Sequence, residues 1–318
     1  MKPPAFQYHA PKSLPEALDT LNRVGHDGKV LAGGQSLIPI LNMRLAAPGH
    51  LVDINGLSEL AYIRTDAGGV RVGALARHAE VEADTAVHTA QPLLRQGLRL
   101  VAHPVIRNRG TTVGSLAHAD PSGEMTAVLS LTGGSVELAR QGGTRTVGAQ
   151  DFFVGPLESC VEPGEMAVSA YFPRLPERTG TEFVEAARRH GDYAMCGVAA
   201  AVTLDEDLRI VRARAAYLSV SPVPLLLDLT EAVSGGTPDT AHWGAAGDLA
   251  AQQMEPEPDI HATAEYRCHL ARVLTARAVR TAAVRAAELS SMPAAINDEI
   301  SDEISDEISD DEQERGER

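Results

Sequence analysis

Residues 29–37 read Lys29-Val30-Leu31-Ala32-Gly33-Gly34-Gln35-Ser36-Leu37. Three apolar residues suited to a strand run into two glycines and a polar pair. The apolar segment from Leu37 to Leu45 can then start a helix, with Pro39 accepted in its first turn. Glycine lets successive backbone N–H groups point one way with no Cβ in the path, and a helix N-terminus behind them adds partial positive charge. The pattern is that of an anion cradle whose natural guest is a pyrophosphate, although a Gly-Gly pair after a strand is also an ordinary turn.

A second loop of the same character lies far along the chain, Arg107-Asn108-Arg109-Gly110-Thr111-Thr112-Val113-Gly114-Ser115-Leu116-Ala117-His118-Ala119-Asp120-Pro121-Ser122-Gly123-Glu124. Upstream, Ser13-Leu14-Pro15-Glu16 is a capping box with Ser13 as N-cap and Glu16 returning to its backbone N–H. The helix behind it places Leu14, Ala17, Leu18, Leu21 and Val24 at helical spacing and ends at Gly25. With Leu51-Val52-Asp53-Ile54 as a further strand, residues 1–56 read as a small βαβ-type lobe. Hairpins are expected across Asp66-Ala67-Gly68-Gly69 and Gln141-Gly142-Gly143, and helices over 77–83, 92–101 and 124–131, with a closing strand over 165–172. Beyond a linker at 173–179, the segments 181–187, 196–204 and 208–220 alternate as an antiparallel meander. Helices over 241–253 and 263–289 are expected to cover one of its faces.

The chain of 318 residues is long enough for two domains with cores of their own, and its 44% hydrophobic and 22% charged content is that of an ordinary globular protein. Cys160, Cys196 and Cys268 are far apart and form no C-x-x-C pair, which excludes a zinc or iron–sulfur cluster held by this chain alone; the thiols are expected free and intracellular. His118, Asp120 and Glu124 share one loop but are too few convergent donors for a metal. Met1 to Phe6 lacks a signal-peptide core and no apolar run approaches the ~20 residues that span a bilayer, so a cytoplasmic protein is expected. A net charge of −15 argues against nucleic acid as a partner. Much of it lies in a D-E-I-S repeat beginning at Asn297, a like-charge block that cannot bury enough area to offset ordering entropy; disorder is expected over 291–318, the other reading being a docking helix for a basic partner.

The residues quoted above resemble a known family, the FAD-binding medium subunits of the molybdenum hydroxylases, which include the flavoproteins of aerobic carbon monoxide dehydrogenase and xanthine dehydrogenase. Members carry A-G-G-[HQ]-S-L near the N-terminus, R-N-x-G-T-[IV]-G-G-[SN]-[LI]-x-x-A-[DS]-P later, and R-R-x-G-D-[YF]-A opening a C-terminal domain. Here the third motif is Arg188-Arg189-His190-Gly191-Asp192-Tyr193-Ala194, and the likeness runs over roughly residues 3–287. It implies an α+β fold: a two-lobed PCMH-type FAD-binding domain over 1–176, with lobes of about 1–56 and 57–176. A small C-terminal domain over 177–290, with a three-stranded antiparallel sheet and helices, would follow.

The resemblance further implies that residues 32–36 and 111–115 clasp the FAD pyrophosphate with backbone N–H groups and the hydroxyls of Ser36, Thr111 and Ser115. The site residues implied are Lys29, Ala32, Gly33, Gly34, Gln35, Ser36, Leu37, Thr111, Thr112, Gly114, Ser115, Asp120, Glu124, Asp192 and Tyr193. Val113 replaces the first glycine of the usual pair and, being β-branched, is expected to take a β-like conformation that leaves Gly114 as the one close approach. Gln35 stands where stand-alone flavin oxidases often carry a covalently linked histidine, so FAD is expected to be non-covalent. By resemblance, Glu124 meets ribityl or ribose hydroxyls, and Asp192 and Tyr193 approach the isoalloxazine. The plainer readings are a helix-entry turn at Asp120-Pro121-Ser122-Gly123, a half-buried strand residue at Tyr193, and solvated or interdomain salt bridges for Arg188 and Arg189. The lysine that many relatives carry before the arginine pair is missing from Phe183-Val184-Glu185, leaving Lys29 or a backbone dipole to supply the charge.

The implied function is electron transfer within a three-component enzyme. A large molybdopterin subunit would oxidise the substrate and a small subunit with two [2Fe–2S] clusters would relay the electrons. The assembly expected is a dimer of heterotrimers, with no catalytic residue on this chain. A free-standing flavin oxidoreductase and a flavin-free structural subunit are the alternatives.

Overall fold

The computed structural model describes residues 2–291, so the acidic repeat lies outside the described residues. The chain begins with strand β1 (Gln7–His9) and helix α1 (Leu14–Val24), followed by β2 (Gly28–Leu31), α2 (Leu37–Asn42) and β3 (His50–Asp53). The strands form a parallel sheet in the order β1-β3-β2, as a βαβ unit requires. Helix α1 buries Ala17, Leu18 and Leu21. Its cap departs from the expected box in one respect: Ser13 accepts from Glu16 N, whereas the Glu16 carboxylate accepts from Lys12 N at 2.7 Å.

The next segment builds a five-stranded antiparallel sheet, β4-β5-β10-β6-β7, from β4 (Ile63–Asp66), β5 (Gly69–Gly73), β6 (Ser135–Arg140), β7 (Gly143–Gly148) and β10 (Met166–Pro173). The small ribbon β8 (Phe153–Gly155) with β9 (Glu158–Ser159) sits between β7 and β10 in sequence. Between β5 and β6 run α3 (His78–Ala83), α4 (Thr85–Ala90), α5 (Pro92–Leu98), α6 (Pro104–Arg107), α7 (Thr112–His118) and α8 (Glu124–Thr132), and α9 (Ala149–Phe152) follows β7. Helix α8 is buried along its whole middle, Met125 to Leu131, because α5 and α7 cover one side and the C-terminal sheet the other.

That last sheet holds β11 (Thr179–Ala186), β12 (Cys196–Leu204), β13 (Ile210–Leu218) and β14 (Leu225–Asp228) in sequential antiparallel order. The sequence suggested three strands; the fourth pairs Leu225 to Asp228 with Tyr217 to Arg214. A short leucine run just after Pro222 and Pro224 carries little strand signal of its own, and the open edge of β13 supplies the missing pairing. The sheet is covered on both faces. Ala199, Ala201, Ala216 and Leu218 join the core shared with α8, while Val198, Ala200, Val202 and Tyr217 pack with α11 (Trp243–Gln252) and α12 (Ala264–Ser291), which follow the short α10 (Thr230–Val233). Strand β12 therefore reads as a near-continuous apolar run and not as an alternation.

Candidate functional site

The two glycine-containing segments, one following β2 and the other joining α6 to α7, meet directly. A Cβ on Gly33 would strike the Arg109 carbonyl oxygen and lie 2.7 Å from Gly110 Cα, so only glycine lets the loops touch. Gly34 has φ +73°, a left-handed backbone that glycine adopts without steric cost. Among the described residues, the backbone N–H groups of Gly33, Gly34, Gln35 and Ser36 donate to nothing, whereas Ile38 N already returns to Gly34 O at 3.0 Å. Unspent N–H groups in a turn that ordinary folding would pair off are what an anionic guest requires. Gln35 bends its side chain back, Nε2 donating to Gly33 O at 3.2 Å. Lys29 lies exposed on β2, and Ala32, Ser36 and Leu37 are half-buried beside the glycines.

The second segment is not the open loop the sequence suggested. Thr111 is the N-cap of α7, its hydroxyl accepting from Gly114 N, and Thr112, Val113, Gly114 and Ser115 form the first turns of that helix. Val113 is therefore helical and buried, which corrects the β-like conformation expected for it; its isopropyl group belongs to the core and its backbone is fixed by α7. Thr112 also turns inward, its hydroxyl 3.3 Å from Nδ1 of the buried His78. His78 N donates to Gly110 O, and burial, reinforced by the Arg107 charge, lowers the imidazole pKa to about 4, so the ring under the loop is neutral. Helices α2 and α7 have 6 and 7 residues, so the donors are loop and first-turn amides more than a long-helix dipole. Beside Asn108 opens a basic hollow of about 450 Å³ lined by Arg95, Arg99 and Arg107 with Glu82.

Past α7, Asp120 forms the expected helix-entry turn, Oδ1 accepting from Ser122 N at 2.8 Å, and Glu124 is the first residue of α8. The C-terminal sheet holds this turn: Ser219 N donates to Pro121 O and its hydroxyl to that of Ser122, each at 2.8 Å. Ser219 O in turn accepts from the buried Arg267 of α12, which also donates to Met195 O and pairs with Asp259. Burial first, then the charges of Glu185 and Asp120, push the Glu124 carboxyl up to about 8, and burial pushes Glu185 up to about 7. The Oε2 of Glu185 is buried and has no hydrogen-bond partner among the described residues. Tyr193 lies 69% exposed in the β11–β12 connection, yet loss of solvent around its hydroxyl, and then the Asp120 and Glu124 charges, raise the phenol pKa. Asp192 is held by Arg189 at 3.3 Å. The structure thus gathers Asp120, Glu124, Glu185 and Tyr193 at one place and Gly33 to Ser36 with Thr111 to Ser115 at another. Lys29 joins neither through any hydrogen bond or ion pair among the described residues. Glu185, which the sequence offered only as a missing lysine, is the residue that reasoning along the chain passed over.

This arrangement fits FAD: a glycine cradle with unspent amides for the diphosphate, and the orphaned Glu185 acceptor with the Tyr193 hydroxyl for a polar ring system. No three His, Cys, Asp or Glu among the described residues are grouped so as to hold a metal, and no described helix is long and apolar enough to cross a membrane. Residues 4–175 match the family described as the FAD binding domain in molybdopterin dehydrogenase, and residues 181–282 match the CO dehydrogenase flavoprotein C-terminal domain. The chain is 38% identical over 287 residues to the alpha subunit of the 6-hydroxypseudooxynicotine dehydrogenase complex of Paenarthrobacter nicotinovorans, covering 90% of this chain and 97% of that one. It is 35% identical to the carbon monoxide dehydrogenase medium chain of Afipia carboxidovorans, over 90% and 99% of the two chains. Carbon monoxide dehydrogenase from Hydrogenophaga pseudoflava superposes with a TM-score of 0.84 at 34% identity, covering 90% of this chain and 99% of that one. On these matches and this site, the chain belongs to the FAD-binding medium subunits of the molybdenum hydroxylases, a family of oxidoreductase subunits.

Proposed function

We propose that the chain is the electron-transferring subunit of a three-component molybdenum hydroxylase, receiving electrons from the [2Fe–2S] clusters of a small partner and passing them to an external acceptor. A large molybdopterin subunit would oxidise the substrate, and the whole would assemble as a dimer of heterotrimers. In this reading residues 1–176 hold the cofactor between lobes 1–56 and 57–176, and residues 177–290 close over it. The observation that carries it is the junction at Gly33 and Arg109 of the loop after β2 with the α6–α7 connection, with the amides of Gly33 to Ser36 unspent. Bound FAD would supply the redox chemistry, accepting single electrons and delivering pairs.

The residues present act by position. Gly33, Gly34, Gln35 and Ser36, with Thr111, Gly114 and Ser115, would take the diphosphate, and Gln35, which cannot bond covalently to a flavin, leaves the cofactor non-covalent. Asp120 and Glu124 would meet hydroxyls of the cofactor. Glu185 and Tyr193 would present a protonatable acceptor and a hydroxyl near its ring, with Asp192 shaping the connection. None of these needs to serve as a nucleophile. The direct test is recovery of the chain from its native source with mass spectrometry of what accompanies it. Iron–sulfur and molybdopterin subunits should co-purify, and the isolated chain should bind FAD yet oxidise no hydroxylase substrate. Recovery as a lone oligomer that turns over substrate by itself would overturn the proposal.

A further inference from the structure

Two side chains outside both loops bridge them. Arg77 precedes α3, and its Nη1 donates to Arg109 O at 2.7 Å while Nη2 donates to Asn55 Oδ1 at 2.7 Å. Asn55 follows β3 and uses its amide to donate to Ala32 O at 2.8 Å and to Asp53 Oδ1 at 2.6 Å. Asp53 is itself held by Tyr8, whose hydroxyl donates to Oδ2 at 2.6 Å. Burial acts to raise the Asp53 pKa, but the hydrogen bonds from Tyr8 and Asn55 and the Arg77 charge outweigh it, so the carboxylate is an ionised acceptor. The Glu80 carboxylate accepts from Arg77 N at 2.7 Å and fixes the arginine backbone.

The two ends of this bridge are the carbonyls that flank the contact between the loops. Arg109 O is the atom a Cβ on Gly33 would strike, and Ala32 O belongs to the same planar peptide unit as Gly33 N–H. Because the peptide is planar and trans, holding Ala32 O toward Asn55 turns Gly33 N–H the opposite way, where it meets no partner among the described residues. A guanidinium fork suits the task, since it can satisfy two acceptors at a fixed separation, which an ammonium cannot.

We propose that Arg77 and Asn55 are positioning residues for the flavin diphosphate: by gripping the Ala32 and Arg109 carbonyls they hold the two loops in register and aim the Gly33 amide at the cofactor. The inference rests on the reading of these loops as the diphosphate site. It makes the lobes one binding unit, so that either half of the clasp is useless without the other.

The test uses the full chain, stripped of flavin and titrated with FAD, in the variants Arg77→Ala, Arg77→Lys, Asn55→Ala and the double alanine variant. Each single alanine change should weaken FAD binding by about tenfold, the loss expected of one well-aligned charge-assisted bond. The double variant should be no weaker than the poorer single one, because both break the same bridge. Arg77→Lys should fail to restore affinity, and the 31P resonances of FAD bound to it at saturation should move from their wild-type positions. Wild-type affinity in Arg77→Ala, additive losses in the double variant, or unmoved 31P resonances with a lowered melting temperature of the flavin-free chain would each overturn the clasp. Ser36→Asp sets a negative charge in the cradle and serves as the control. If it retains FAD, the loop assignment itself is wrong; if it loses FAD while the Arg77 and Asn55 variants keep it, only the clasp fails.

Discussion

Replacing Gly33 by alanine isolates the contact on which the site depends. The new Cβ would sit 2.7 Å from Gly110 Cα and 3.0 Å from the Arg109 carbonyl carbon, and closer still to the Arg109 oxygen. All three atoms are backbone, so no side chain can swing aside. Restoring an ordinary separation of about 3.7 Å requires the loops to part by about 1 Å, an overpacking strain of about 1–3 kcal/mol. The same retreat pulls the Gly33 amide from an anion that it would hold through a charge-assisted bond contributing about 1.5–3 kcal/mol. FAD affinity should therefore fall about 10- to 100-fold, read by quenching of flavin fluorescence on titrating the flavin-free chain. Gly34→Ala is the internal comparison. Its φ of +73° costs a non-glycine residue about 1 kcal/mol, but its Cβ would meet only Ile38 Cγ1 and Leu31 Cδ1 at 3.2 Å, which can shift. Its loss should stay near fivefold. If Gly33→Ala bound FAD as tightly as the wild type, with an unchanged melting temperature, the loops would not meet as described and the argument would fail.

The remaining expectations concern the contact of α8 and the Asp120 turn with the C-terminal sheet. Glu124 and Glu185 titrate near 8 and 7 when folded but near 4.3 when unfolded, so between those limits the unfolded chain binds fewer protons and stability falls as pH rises. Urea unfolding at pH 5.5 and pH 8 should show the higher stability at pH 5.5, and Glu124→Gln should flatten the difference; a slope of the opposite sign would contradict the burial of these carboxyls. Arg267→Ala would strand the Met195 and Ser219 carbonyls and Asp259, at about 3 kcal/mol. Because Ser219 also holds Pro121, the same variant should lose flavin on gel filtration more readily than the wild type.

Much of this was legible along the chain because the signals are local. The Ser13 cap, the hairpins through Gly68-Gly69 and Gln141-Gly142, the strand ending before Gly33 and the buried helix from Glu124 all follow from short-range patterns that their neighbours cannot override. The same locality explains the misses. Val113 looked like a loop residue because a β-branched side chain in a glycine-rich run argues against tight turns, yet Thr111 caps a helix there and the core takes the isopropyl group. Strand β14 is short and needed the free edge of β13 to exist at all.

Sequence by itself determined the order of the main elements, the glycine positions and the motifs that mark a flavin subunit, since these depend on backbone freedom and periodicity within a few residues. Tertiary structure alone decided why Gly33 must be glycine, namely the Arg109 backbone pressed against it, and that Asn55 reaches Ala32 across 23 residues and Arg77 reaches Arg109 across 32. It likewise decided that Glu185 of β11 comes to face Glu124 at the start of α8. The physical reason is common to all three: a hydrogen bond, a steric contact or a carboxyl pair is set by distance in space, and a single sequence carries no record of which distant residues the packing of apolar faces will bring within reach.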